Sequence, residues 1–228
     1  MKKVTILQSN YIPWKGYFHL INKVDYFVFL DSVQYTNRDW RSRNLIKTPE
    51  GLKWLSVPNN GKRSKTIHDV EIDNSIKWFE KHFKTLECNY KNCDHFNEFY
   101  NFLEKVFLKN TWEKLSDLNQ FLIKEISRFL GINTVFCDSD DFILEEGKNE
   151  RLIAILNQLQ ADHYITGNSA KSYLDQKLFE QNGITIEFFN YPDYPMYSQP
   201  WGEFHHHVSV LDLLFCEGTN AANHIWKF

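Results

Sequence analysis

An α/β fold with a mostly parallel, Rossmann-like sheet, a helical insertion and a small β-hairpin is the architecture this sequence predicts, and three observations predict it. The chain opens as strand, loop, helix, strand: Val4–Gln8, a break at Ile12-Pro13, a short amphipathic helix, then the nearly all-apolar run Tyr26–Leu30. Beyond Gly131 strand and helix patterns alternate again, which favours parallel pairing. Between these stretches lie about 60 residues of helical periodicity without a strand pattern.

Each element has its own local reason. Val4–Gln8 and Tyr26–Leu30 are expected side by side, with Gln8 and Asp31 at their carboxyl ends, where ligands of open α/β sheets bind. Asn44–Thr48 and Lys53–Val57 form a hairpin across Pro49-Glu50-Gly51, since proline fixes φ and glycine accepts positive φ. The polar loop 58–65 is basic and contains glycine, and a strand is expected near Ile67–Ile72. Asp73 reads as an N-cap for a helix over Ser75–Tyr90, with Ile76, Phe79, Phe83 and Leu86 at helical spacing. Further helices are expected over Phe96–Leu108 and Leu115–Leu130, giving a helical block at about 74–131 within a single domain over 1–228. Asn133–Cys137, His163–Thr166 and Ile184–Phe189 are strands, and Asn149–Leu159 and the stretch before Asn182 are helices. Ser209 caps a last helix to Phe215, with Asp212 completing an acidic capping box.

Composition narrows the function. With 43% hydrophobic and 24% charged residues, 228 residues suffice for one substantial core. No run of about 18 apolar residues is present, and no apolar segment of signal-peptide type comes after the charged start. The cytoplasm is therefore the expected location, without membrane insertion. The four cysteines form no CxxC pair and read as buried or free thiols. The net charge of −3 hides an asymmetry. Residues 31–65 hold eight Lys or Arg against Asp31, Asp39 and Glu50, a local +5 that leaves −8 for the remainder. A basic patch on an acidic protein points to an anionic ligand; the acidic remainder argues against extended nucleic acid.

No GxGxxG, GxxxxGK[ST], HExxH or GxSxG fingerprint is present. Gly167-Asn168-Ser169-Ala170-Lys171-Ser172 has the form of a strand-to-helix phosphate turn, where backbone N–H groups meet an anion at a helix N-terminus; the alternative is a plain helix cap. His205-His206-His207 reads as a solvated loop, with a metal site using Asp212 or Glu203 as the alternative and no metal assigned. If the segment around Arg38, Arg41 and Arg43 is extended, Arg41 and Arg43 share a face with Asp39. Their guanidinium forks suit a phosphate or carboxylate, or else pair with Asp39 and Glu50. Trp40, with Tyr35 and Tyr11, can stack a base or a sugar ring.

These residues carry a resemblance. Gln8 to Phe18, QSNYIPWKGYF, is similar to the HQPxYxPWxGYF opening of the WbqC-like proteins. Phe29 to Tyr35 resembles that family's FLDxVQY, Arg41 to Lys47 its RNRNRIK, and Trp54 to Pro58 its WLTVPV. Tyr164 to Gly167 with Tyr173-Leu174-Asp175, and Ser209 to Phe215, resemble two further family stretches. The chain departs at Leu7, where a His is common, and at Ser9, where Pro is common. The resemblance implies a place among O-antigen and other surface-polysaccharide or amino-sugar proteins.

The expected function is therefore an enzyme that transfers an acyl or aminoacyl group, glycyl for example, to the amine of a nucleotide-linked amino sugar. The alternative is a non-catalytic sugar-nucleotide-binding or scaffold protein of the same pathway. Asp31 and His68 are the candidate bases, since an amine must lose a proton before it attacks a carbonyl. Candidate binding residues are Gln8, Tyr11, Trp14, Gln34, Tyr35, Arg38, Trp40, Arg41, Arg43, Asn44 and Lys47, with Gly167, Asn168, Ser169 and Lys171. The opening strand, polar-Pro turn and helix also resemble HIGH-type nucleotidyl-transfer folds without the HxGH histidines, so ATP stands beside an acyl carrier as donor. A homo-oligomer is the further expectation.

Overall fold

The computed structural model describes residues 1–228. The chain runs β1 (Lys3–Leu7), α1 (Lys15–Asn22), β2 (Tyr26–Phe29), β3 (Arg43–Thr48), β4 (Gly51–Ser56), α2 (Trp78–Tyr90), α3 (Phe96–Glu104), α4 (Leu115–Phe129), β5 (Val135–Asp138), α5 (Lys148–Gln158), β6 (His163–Gly167), α6 (Gln176–Gln181), β7 (Thr185–Phe189) and α7 (Val210–Glu217). Five strands form one sheet in the order β5-β2-β1-β6-β7, every pairing parallel, and β3 with β4 forms a separate antiparallel hairpin. The predicted α/β architecture is thus the observed one.

Side-chain alternation along the strands explains the layers. Phe27 and Phe29 of β2 point into a large cluster that also takes Phe18 and Leu20 of α1 and Leu118, Leu122 and Ile126 of α4. Val4, Ile6 and Val28 point the other way, onto Leu152, Ile155 and Leu156 of α5 and Phe179 of α6. The chain therefore winds outward from β1 on one face and from β6 on the other. Strand order reverses between β1 and β6, and a doubly wound sheet opens its ligand crevice at such a point. Register between these two strands covers Lys3–His163 and Val4–Tyr164, after which the Thr5 hydroxyl donates to the Ile165 carbonyl at 2.7 Å.

The helical block is one covering layer of the sheet. Lys124 of α4 lies 5.4 Å from the Phe29 ring, and Phe96 and Phe99 of α3 pack on Phe215 of α7. Three local expectations are corrected. Residues 67–72 form no strand, because their amides go to scattered partners: Ile67 to Val33, His68 to Asp31, Ile72 to Glu113. The apolar spacing of Ile67, Val70 and Ile72 reflects burial along an irregular path. Helix α2 starts at Trp78, and Asp73 instead accepts from the Ser75 amide and hydroxyl in a turn of its own. Ser209 does cap α7 through the Leu211 amide, but Asp212 turns inward and does not close the box.

Candidate functional site

Site building starts at the end of β1, where residues 8–14 must turn without regular structure. Ile12 has φ +36°, a costly region for a β-branched residue. Asn44 holds the turn: its Nδ2 donates to the Ile12 and Tyr11 carbonyls at 2.8 and 3.2 Å, and the Tyr11 amide donates to the Trp40 carbonyl. Trp14 then folds back over α1, so that a Cβ on Gly16 would stand 2.3 Å from the indole. Glycine at that position is the condition for the indole to lie there.

Arg41 enters the same corner. Its Nη1 donates to Asn10 Oδ1 at 2.6 Å and its Nη2 to Gln8 Oε1 at 3.2 Å, with Asp39 Oδ2 at 3.9 Å. The guanidinium links residues that line two cavities. One, of about 210 Å³, is walled by Trp14 and Trp40 with Asn10, Pro13, Asn44 and His207. The other, of about 390 Å³, lies along the carboxyl ends of β1 and β2 with Tyr164 of β6 in its wall, and includes Gln8, Gln34, Lys148, Arg151 and Tyr173. Lys148 and Arg151 come from the first turn of α5. A third cavity of about 610 Å³ is lined by Arg38, Arg43, Tyr35 and Asn59.

Arg41 and Arg43 therefore diverge, contrary to expectation. Extended structure begins only at Arg43, so Arg41 lies in a turn, while the Arg43 guanidinium stacks 4.2 Å from the Trp54 ring. Tyr11 and Tyr35 are enclosed; their hydroxyls bond His82 Nδ1 at 2.8 Å and Ser42 Oγ at 3.2 Å. Trp14 and the exposed Trp40 are the rings left at the surface for stacking. Gln34 donates to the Arg63 carbonyl. Lys47 is buried in the hairpin, its Nζ donating to the Glu203 carbonyl at 2.6 Å.

Asp31 comes after β2 and is fully buried, not exposed as its position at a strand end predicts. It accepts from the Ser9 amide at 2.8 Å and from Gln120 Nε2 at 3.2 Å. Burial raises its pKa above the ordinary carboxylate value, and the Ser9 hydrogen bonds oppose that shift. The same Gln120 nitrogen donates to Asp138 Oδ2 at 2.7 Å. Asp138 in turn stands 3.4 Å from His68 Nε2, and Asp140 lies 3.0 Å from His68 Nδ1. The hydrogen bond to Asp138 raises the His68 pKa to about 9, so the ring is an imidazolium at neutral pH. Burial alone would raise Asp138, but hydrogen bonds from His68 and Gln120 outweigh it and bring the carboxyl to about 2.

Gly167–Ser172 stands apart from this group. Asn168–Ser172 is a 3-10 turn and α6 starts later, capped by Asp175, so the predicted α-helix N-terminus is absent there. Asn168 bonds the Asn190 side chain, Ser169 is exposed, and Lys171 lies over the Phe188 ring at 5.1 Å. Asp212, the alternative partner for the histidine run, is buried and accepts from Tyr90, Tyr197 and Gln199. His207 is exposed, with its ring 5.3 Å from Trp14. Sequence reasoning missed Asn10, Gln120, Lys148, Arg151, Asp138 and Asp140. For the last two a signal existed, because Asp138-Ser139-Asp140 comes directly after the predicted strand 133–137.

No helix is long and apolar enough to cross a membrane, and no solved structure matches the chain. An uncharacterized protein of Mycobacterium tuberculosis, Rv1507c, is 44% identical over 227 residues, covering 99% of this chain and 98% of its own length. The model of the WbqC-like protein family matches residues 8–224. That match begins at Gln8, takes in the whole carboxyl-edge cluster and ends beyond α7: the chain belongs to the WbqC-like protein family.

Proposed function

We propose that this protein binds a nucleotide-linked amino sugar along the carboxyl edge of its sheet and transfers an acyl or aminoacyl group to the sugar amine, in surface-polysaccharide biosynthesis. The observation that carries the reading is Arg41, which bridges Gln8 and Asn10 between an aromatic-walled cavity and a cationic one at the reversal of strand order. Trp14 and Trp40 offer faces to a sugar or base. Lys148 and Arg151, together with Arg41, offer charge to a diphosphate. Asp31 is the proton acceptor for the sugar ammonium and becomes reachable when Gln120 swings away. The donor is an acyl carrier or an ATP-activated carboxylate.

The enclosure of Asp31 favours a second reading, a non-catalytic sugar-nucleotide-binding protein of the same pathway. Calorimetry and thermal-shift titration with dTDP- and UDP-linked amino sugars test binding. Incubation with candidate acyl donors, read by mass spectrometry, separates the two. Absence of any shift with these ligands while other anions bind would overturn both readings.

A further inference from the structure

Asp138 and Asp140 flank Ser139 at the carboxyl end of β5, and His68 is brought to them from a loop 70 residues upstream by its own backbone, whose amide donates to the Asp31 carbonyl at 3.1 Å. One ligand atom from each of the three side chains lies within 4.8 Å of the other two. Ligands roughly 2.1 Å from a divalent ion stand about 3.0 Å apart when adjacent and about 4.2 Å apart when opposite. Asp138 faces Nε2 at 3.4 Å and Asp140 faces Nδ1 at 3.0 Å, so an ion takes one ring nitrogen with its neighbouring carboxylate, and the other carboxylate swings by about an ångström to join them.

We propose that His68, Asp138 and Asp140 form a divalent-cation site that holds the diphosphate of the ligand at the sheet edge; the diphosphate rests on the function proposed above, the cation site does not. Two carboxylates and one imidazole, whose extra proton the ion displaces to solvent, suit a hard or borderline ion, and the nitrogen favours Mn²⁺ over Mg²⁺. The His68 and Asp138 side chains are 22% and 27% exposed and that of Asp140 63% exposed. An ion held there keeps open positions for water or phosphate oxygens. Asp138 is oriented from behind by Gln120, which hydrogen-bonds its second oxygen, the usual support for a carboxylate ligand. The cluster also stands beside the cationic cavity, since the Ile67 amide bonds the carbonyl of Val33, and Val33 lines that cavity.

The test is Mn²⁺ binding to the full chain without nucleotide, by electron paramagnetic resonance and calorimetry. One ion per chain at micromolar affinity is expected, weakened at least about tenfold by Asp140→Asn and by His68→Gln. Glu180→Gln, exposed on α6 beside the sheet edge opposite β5, should bind as the parent does. Asp140 is the most exposed of the three, so its variant is expected to fold even if changes at Asp138 do not; circular dichroism checks this. Binding weaker than millimolar, or equal in parent and both variants, overturns the site. Titration of UDP- and dTDP-amino sugars with Mn²⁺ and with chelator separates this idea from the function. Mn²⁺ bound without sugar-nucleotide binding leaves the cation site and removes its diphosphate role. Sugar nucleotide bound equally in chelator overturns the metal's part and leaves the function standing.

Discussion

Two buried carboxylates, Asp31 at the sheet edge and Asp212 in α7, look alike by exposure and differ in company. Both are fully enclosed, and burial raises the pKa of each. Asp212 is closed in by two tyrosine hydroxyls and Gln199, at 2.8, 2.6 and 2.7 Å, with Lys47 and the buried Lys15 in its field. Burial lowers the Lys15 amine to about 8. Asp31 has a main-chain donor on one oxygen and, on the other, a glutamine shared with a half-exposed His–Asp group. The three donors on Asp212, Tyr90 buried and Tyr197 and Gln199 partly so, come from α2 and from the segment before α7 and tie those parts of the fold to it. Gln120 instead joins Asp31 to a second carboxylate, Asp138, so a change at the His–Asp group can pass inward to Asp31.

The largest effect expected is on stability at Asp212. Asp212→Ala leaves two tyrosine hydroxyls and an amide without their acceptor, which costs about 3 kcal/mol or more; denaturant unfolding measures it, and a loss under about 1 kcal/mol would erase the contrast. Next comes Arg41→Ala, which should weaken the anionic ligand by about 1.5–3 kcal/mol with little change in melting temperature. Unchanged affinity would move the ligand away from this corner. Asp31→Asn should cost about 1–2 kcal/mol, more than an exposed strand end implies, because Ser9 keeps an acceptor while Gln120 must reorient. If it costs as much as the Asp212 change, the two carboxylates are equivalent after all.

Acid titration sharpens the comparison further. Burial lowers the His82 pKa to about 4, against an unfolded value of about 6.5. The unfolded chain therefore binds the proton first. Stability should fall as pH drops from about 6.5 toward 4, at no more than about 1.4 kcal/mol per pH unit from this residue. The raised carboxylates act in the opposite sense, favouring the folded state as they protonate. His82→Gln should flatten the slope of stability between about pH 6.5 and 5; an unchanged slope would assign it elsewhere.

The strand and helix pattern was readable because alternation and helical spacing are local. Phe27 and Phe29 opposite Val28 announce a two-faced strand, and Leu118, Leu122 and Ile126 a helix face. The site was readable only in part, because its geometry depends on contacts distant in sequence. Gln8, Asp31 and Arg41 stand out as polar residues at a strand end or in a basic run. Gln120 sits among helical core positions, and nothing local separates it from a solvated glutamine. The segment 67–72 misled because burial without regular pairing leaves the same apolar spacing as a strand. The 3-10 turn after Gly167 misled because a glycine-led polar run marks a turn without fixing whether an α-helix begins there.

The pairing of β1 with β6 has a consequence for how the site comes into being. Lys3 meets His163 across 160 residues, and closing so long a loop costs entropy before any contact rewards it. The crevice at that seam, with Gln8 on one side and Tyr164 and Tyr173 on the other, lacks its second wall until the later part of the chain has arrived. Binding competence is then a late event in folding. A nascent or truncated chain ending at residue 60 would hold four of the recognisable motifs and only one side of the site.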